Sequence, residues 1–241
     1  MTYSVYIGMG DSISIDYYTG IPYGGGISLF YRNLDDMYPD FRGRDLVSLF
    51  PGIECFNIAV DGERASGMAG QLEILTNIAR KKGVGDRALV TLTIGGNDIL
   101  AFINTRYFAG RSFQSRLDMF LLELQNRINN ILSEIRDAFN NDVDIIIGSI
   151  YDPTDGSGIL YGMDISSVLS SLEEINEAIM NLGVRHGAAF ADIHNHFLGH
   201  GNGTDDCWYT GEIEPNSKGG SEVRRVFWET LTGRIIAGTD S

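Results

Sequence analysis

Five short apolar segments, spaced along the whole chain, constrain the fold more than any other feature of this sequence. They are residues 4–9, 53–60, 88–94, 143–150 and 188–193. Each is almost continuously apolar, whereas a strand with one face in water alternates apolar and polar residues. Continuous apolar runs of this length are typical of strands that are buried on both faces of a parallel sheet.

Helical stretches separate these five segments. The four stretches are residues 66–81, 113–139, 167–182 and 217–236. The longest, 113–139, has apolar side chains at helical spacing on one stripe. Strands that alternate with helices predict right-handed βαβ units and the α/β class. Two glycine- and aromatic-rich regions, 17–26 and 199–215, are predicted to be loops at the rim of the sheet. Neither resembles a linker, so the prediction is a single domain over residues 1–241.

Composition excludes several classes of function. The formal net charge is −14, and such a surface repels nucleic acid and anionic lipid. No run of about 18 apolar residues is present, so no membrane span is predicted. The N-terminal residues are typical of a strand rather than a signal peptide. Cys55 and Cys207 are too few for a disulfide framework or a metal set. We therefore expect a cytoplasmic protein.

Polar residues follow the predicted strands, at the edge where open α/β sheets bind ligands. After successive strands the chain carries residues 10–12 (Gly-Asp-Ser), 57 and 61–64 (Asn, then Asp-Gly-Glu-Arg), 95–98 (Gly-Gly-Asn-Asp), 151–152 (Tyr-Asp) and 192–196 (Asp-Ile-His-Asn-His). A serine nucleophile needs an adjacent base, and the oxyanion that forms needs preorganised donors. Ser12, Gly62 and Asn97 can supply these parts, so the pattern predicts acyl transfer.

These segments resemble the SGNH/GDSL hydrolase family. Gly10-Asp11-Ser12 is similar to its first block, Asn57 with Gly62 to its second, and residues 95–98 to its third. The resemblance implies a three-layer α/β/α sandwich of flavodoxin-like type, with a five-stranded parallel sheet in the order 2-1-3-4-5. It also implies esterase- or lipase-like hydrolysis of small-molecule carboxylic esters or thioesters through an acyl-serine, without a cofactor.

In this resemblance Ser12 is the nucleophile. The oxyanion hole is formed by the backbone N–H groups of Ser12 and Gly62 and by the Asn97 side chain. Each of these residues could instead have no catalytic role. Ser12 could be a phosphate-loop or turn serine without chemistry, Gly62 a glycine at a helix start, and Asn97 a helix N-cap.

The last block departs from the family pattern. The family has Asp-x-x-His followed by Pro-Asn, but here Gly211 stands at the aspartate position and Glu214 at the histidine position, before Pro215 and Asn216. The usual catalytic dyad is therefore missing from its usual place. Glu214 could also be an ordinary ion-pair partner of Arg224 or Arg225.

Four histidines could supply the base. His186 is predicted at the opposite end of the fifth strand and is dropped. His200 is favoured, because its flanking glycines let a loop present it to Ser12 and because residues 197–200 resemble a Phe-x-Gly-His stretch of some family branches. His196 and His194 are the alternative bases. In the favoured arrangement Glu214 orients the imidazole of His200, as the acid of a triad does.

Two rival functions remain. Asp192, His194 and His196 alternate on a segment expected to be extended, so they could hold a catalytic metal instead. The other rival is a family member that only binds a ligand. Aromatic residues of the two rim loops could line a cleft or simply pack, and these are Tyr17, Tyr18, Tyr23, Trp208 and Tyr209.

Overall fold

A computed structural model describes residues 2–82, 87–104 and 112–239, the last without the side chains of 235–239, and residue 104 also without its side chain. Its strands are β1 (Val5–Gly10), β2 (Glu54–Asn57), β3 (Ala88–Thr93), β4 (Val143–Gly148), β5 (Ile159–Leu160), β6 (Met163–Asp164), β7 (Ala189–Ala191), β8 (Tyr209–Thr210) and β9 (Glu214–Pro215). Five of them form a parallel sheet in the order β2-β1-β3-β4-β7. The predicted sheet, its strand order and the α/β class are confirmed.

The helices of the described residues account for the two outer layers. They are α1 (Gly26–Tyr31), α2 (Leu46–Leu49), α3 (Ala69–Lys81), α4 (Gly96–Asn104), α5 (Phe113–Ala138), α6 (Ser166–Leu169), α7 (Leu172–Arg185), α8 (Ile193–Phe197) and α9 (Ser217–Thr239). Single 3₁₀ turns lie at Ser12–Ser14, Tyr17–Thr19 and Pro39–Phe41. Among the described residues, no helix combines the length and the apolarity that crossing a membrane requires.

The core lies on both faces of the sheet, as continuous apolar strands require. Val5 and Ile7 of β1 face one cluster, which contains the apolar stripes of α3, α5 and α7. Tyr6, between them, faces a second cluster built with α1 and α9. Every residue of β1, β3 and β4 is buried. Each fully buried Leu, Ile or Val contributes about 1.5–3 kcal/mol to folding, so the three layers hold together mainly through these clusters.

Several local predictions were wrong. The predicted helix 167–182 is two helices, α6 and α7, because the Ser170 hydroxyl donates to the carbonyl of Ser167 at 3.0 Å and so competes with helix hydrogen bonding. The segment 192–196, expected to be extended, forms α8. The predicted rim loop 199–215 contains an antiparallel hairpin of β8 and β9, and a second hairpin of β5 and β6 was not predicted.

Candidate active site

The turn that carries Ser12 follows β1 directly, at the carboxyl edge of the sheet. Gly10 has φ +125°, and a Cβ there would lie 1.9 Å from the carbonyl oxygen of Thr93, so only glycine fits. The Asp11 Oδ1 accepts from the Thr93 hydroxyl at 2.9 Å and from the Ile13 N–H at 3.3 Å. Sheet register and a side-chain cap therefore fix the position of Ser12, which is buried to 7% exposure.

Asp11 is a structural part of this turn. Burial raises the pKa of its carboxyl to about 7, against the opposing effect of the hydrogen bonds from Thr93 and Ile13. Through its hydrogen bonds with Thr93 and Ile13, the carboxyl holds the backbone of the turn in place.

Backbone donors lie next to Ser12. Within the described residues, neither the Ser12 N–H nor the Gly62 N–H has a hydrogen-bond acceptor. The loop that carries Gly62 is tied to the Ser12 turn, because the Val60 N–H donates to the Gly10 carbonyl at 3.0 Å. It is also tied to Asn97, whose Nδ2 donates to the Glu63 carbonyl at 3.1 Å. These bonds bring the loop of Gly62 and the Asn97 side chain to the Ser12 turn.

The purely structural roles considered for Asn97 and Gly62 are wrong. Asn97 lies inside α4, and its side chain bonds the neighbouring loop, so it is not an N-cap. Gly62 does not start a helix, since α3 begins only at Ala69. Asn97 has a second amide N–H besides the one that Glu63 accepts, and this donor is available for other partners.

Gln71 was missed by the sequence analysis. It is buried on α3, its Oε1 accepts from the Gly10 N–H at 2.8 Å, and its Nε2 donates to the Gly10 carbonyl at 2.8 Å. Its Nε2 is also 3.3 Å from the Glu63 carboxylate. Gln71 therefore holds the nucleophile turn and the neighbouring loop on α3. The signal in the sequence is a glutamine on the apolar face of the 66–81 helix, beside Leu72 and Leu75.

Glu214 lies on β9, which packs against the Ser12 turn. Burial raises the pKa of Glu214, the hydrogen bond from Ser12 lowers it, and the charge of Asp61 raises it further. The Oε2 atom of Glu214 is buried and has no hydrogen-bond partner among the described residues.

The ion-pair alternative for Glu214 is wrong, because both arginines are engaged elsewhere. Arg224 is fully buried and donates to Asn33 Oδ1 at 2.7 Å. Arg225 pairs with Glu222 at 2.7 Å. Within the described residues, the carboxyl of Glu214 therefore has no arginine partner.

The structure does not bring His200 or His196 to Ser12. The His200 ring is stacked on Trp208, with centroids 3.6 Å apart, and its Nδ1 lies 3.0 Å from the Asp206 carbonyl. His196 Nε2 lies 2.8 Å from the Glu222 carboxylate. Among the described residues, none of their contacts involves Ser12 or Glu214. The assignment of His200 as base stays a prediction.

Helix α8 prevents Asp192, His194 and His196 from converging on one metal ion. Residues two positions apart on a helix point about 200° apart, so His194 and His196 do not share a face. Asp192 caps this helix by accepting from the Asn195 N–H at 3.2 Å. Within residues 2–82, 87–104 and 112–239, no group of three or more histidine, cysteine or acidic side chains is arranged to hold a metal ion.

An apolar pocket opens beside Ser12. Its volume is about 80 Å³. We call the part of its lining formed by Asp11, Ser12, Gly96 and Asn97 the mouth. The other lining residues are almost entirely apolar: Ile13, Ile99, Leu100, Ile103, Ile150, Tyr151, Pro153, Leu160, Ile165, Val168, Leu169, Leu172 and Ile213. Much of the far wall comes from the β5–β6 hairpin, α6 and the first residue of α7. The sequence analysis gave this region no role.

The rim aromatics divide into two groups. Tyr17 and Tyr23 are exposed, and the Tyr18 hydroxyl donates to Asp61 at 2.9 Å. Trp208 and Tyr209 are buried in the core cluster of α9. The predicted aromatic cleft is therefore not formed by Trp208 and Tyr209, which pack internally.

Solved structures with the same fold come from several lipolytic enzymes. An extracellular lipase from Streptomyces rimosus is 19% identical, with a TM-score of 0.64 over 94% of this chain and 99% of its own. A phospholipase A1 from Streptomyces albidoflavus is 20% identical, with a TM-score of 0.57 over 95% and 100%. A mutant acetyl-xylooligosaccharide esterase from Geobacillus is 14% identical, with a TM-score of 0.63 over 95% and 94%. At these identities the likeness concerns the fold.

The chain belongs to the GDSL-like lipase/acylhydrolase family, whose sequence profile matches residues 9–220. No curated protein sequence matches it significantly.

Proposed function

We propose that the protein hydrolyses carboxylic esters or thioesters of short apolar acyl groups through an acyl-serine intermediate on Ser12. The observation that carries this proposal is the position of Ser12. It lines an apolar pocket together with Asn97, and the loop that carries Gly62 is tied to its turn by the hydrogen bond from Val60 to Gly10.

The reaction begins when Ser12 Oγ attacks the acyl carbonyl carbon, whose oxygen becomes negatively charged. The N–H groups of Ser12 and Gly62 and the second amide N–H of Asn97 are the donors for this oxyanion. Because they are held by the sheet, α4 and the tied loop, they need little reorganisation when the charge develops. Loss of one such donor typically costs about 3–4 kcal/mol of transition-state stabilisation.

The size of the pocket favours short acyl chains. A single water needs about 10–15 Å³ of comparable volume, so roughly five to eight groups of that size fit in 80 Å³. The walls offer no charged partner beyond the mouth, so a polar acyl group would lose its hydration without compensation. A straight chain of roughly four to eight carbons suits both constraints.

The experiment is hydrolysis of p-nitrophenyl esters from acetate to palmitate by the wild type, Ser12→Ala and Ser66→Ala. Ser66 is an exposed serine and is the matched control. We expect Ser12→Ala to abolish hydrolysis, Ser66→Ala to retain it, and the wild type to prefer short to medium chains.

Two results would contradict the proposal. Activity that persists in Ser12→Ala would show that Ser12 is not the nucleophile. A wild type that neither hydrolyses any of the esters nor reacts with a fluorophosphonate probe would favour a ligand-binding member of the family.

A further inference from the structure

We propose that Glu214 itself accepts the proton of Ser12, so that the site works as a serine–glutamate pair without a histidine. This inference rests on the proposed function, since it concerns the same nucleophile. It starts from two facts: Glu214 stands where the family pattern has its histidine, and its strand β9 packs against the Ser12 turn while its Oε2 atom is buried without a hydrogen-bond partner among the described residues.

The backbone around Glu214 is held in place from several sides. In the β8–β9 hairpin, Glu214 pairs with Thr210. The Tyr151 hydroxyl donates to the carbonyl of Ile213 at 2.5 Å, and Asn216 Nδ2 donates to the carbonyl of Cys207 at 3.0 Å. A base must be positioned before its acid–base strength matters, and these bonds supply that positioning.

The loss of the family's aspartate fits the same arrangement. Gly211 stands at the aspartate position and has φ +62° in the hairpin turn, a conformation that glycine adopts more readily than aspartate. In a triad the aspartate orients the imidazole ring and stabilises its charged form. A carboxylate base has no ring to orient and is neutral after it takes the proton, so it needs no such partner.

The surroundings of Glu214 make its carboxylate a better base than one in water. Burial and the charge of Asp61 raise its pKa, which brings a carboxyl nearer to the working pH of a general base. The charged and titratable groups that interact with it are two carboxyls and three phenols: Asp11, Asp61, Tyr18, Tyr151 and Tyr161. Within the described residues, no cation or histidine contributes to the shift in the pKa of Glu214.

The proton balance closes without another group. As Ser12 Oγ bonds to the acyl carbon, its proton moves to the Glu214 carboxylate and the carbonyl π electrons move to the oxygen. Collapse of this intermediate breaks the ester C–O bond, and the leaving alcohol takes the proton from Glu214. Water then transfers a proton to Glu214 and attacks the acyl-serine. Ser12 leaves with that proton, and the carboxylic acid is released.

The test compares steady-state kinetics and fluorophosphonate labelling rates in Glu214→Gln, Glu214→His and His200→Ala. The glutamine variant keeps the size of the side chain but cannot take the proton, so kcat should fall by about 10²–10⁴-fold, with a similar loss in labelling rate. The histidine variant should regain part of the activity. In its pH profile, the fall in kcat on the acid side should move toward a pKa of about 6.5. Glu177→Gln, the same change at an exposed position on α7, should leave both rates unchanged.

The outcomes separate the inference from the proposed function. If Ser12→Ala is inactive but Glu214→Gln reacts at the wild-type rate, the inference is overturned and the serine hydrolase stands. A loss of kcat and labelling rate in His200→Ala as large as that expected for Glu214→Gln would also overturn it. If Glu214→Gln does not fold, the His200→Ala result decides the question. If the wild type neither hydrolyses esters nor labels at Ser12, the proposed function itself fails.

Discussion

Filling the apolar pocket should remove the preference for hexanoate over acetate without removing activity. Val168 lies on α6, is buried to 4% exposure, and lines the pocket away from the mouth. Phenylalanine at this position adds a ring that has to project into the space proposed for the acyl chain. Ser12 and Asn97, at the mouth, are not displaced by this change.

The magnitude follows from the area that the acyl chain buries. Each buried methylene contributes about 0.8 kcal/mol, which corresponds to roughly a fourfold gain in kcat/KM. Hexanoate has four methylenes more than acetate, so the wild type should prefer it by up to about 3 kcal/mol, or ~200-fold. In Val168→Phe we expect this ratio to fall to less than about tenfold, with the rate on acetate changed little.

The assay is kcat/KM for p-nitrophenyl acetate, butyrate, hexanoate and octanoate. Overpacking costs typically 1–3 kcal/mol of stability, so the melting temperature is measured alongside to show that the variant is folded. The matched control is Val184→Phe, the same substitution at a position on α7 that is 68% exposed. A folded Val168→Phe that keeps the wild-type chain-length profile would refute the assignment of the pocket.

Three further predictions follow from single contacts. Asn97→Ala should lower kcat by about 10²–10³-fold with little change in KM, measured by steady-state kinetics, because it removes an oxyanion donor. Gly10→Ala should prevent native folding, seen by circular dichroism, since its Cβ would lie 1.9 Å from the Thr93 carbonyl. Burial raises the pKa of Glu222, but the hydrogen bonds with His196 and Arg225 outweigh it and lower the pKa to about 2. The stability that this carboxylate contributes is therefore present above pH 4.5 and is lost as pH falls toward 2. Glu222→Gln should therefore cost on the order of 2 kcal/mol at pH 7 and much less at pH 2, by urea denaturation.

The sheet could be predicted from the sequence because its signal is local. A strand that is buried on both faces is continuously apolar, and β1, β3 and β4 show this directly. The short helices could not be predicted in the same way. The break between α6 and α7 depends on a serine side chain that bonds the backbone, and α8 depends on the cap that Asp192 provides.

The site was predictable where its residues follow strands of the sheet. Ser12 and Asn97 come directly after β1 and β3, so neighbouring strands bring them to one edge. Glu214 is different, because a hairpin of two-residue strands places it beside Ser12, and no period in the sequence marks such a hairpin. The glycines around His200 suggested a loop that presents it to Ser12, whereas the ring is stacked on Trp208.

The central claim is that Ser12 is the nucleophile, and mass spectrometry of the fluorophosphonate-treated protein tests it most directly. The reaction should add one probe per chain. After digestion with trypsin the adduct should lie on Ser12, within residues 1–32, and Ser12→Ala should remain unmodified. An adduct on another residue, or equal labelling of Ser12→Ala, would contradict the account.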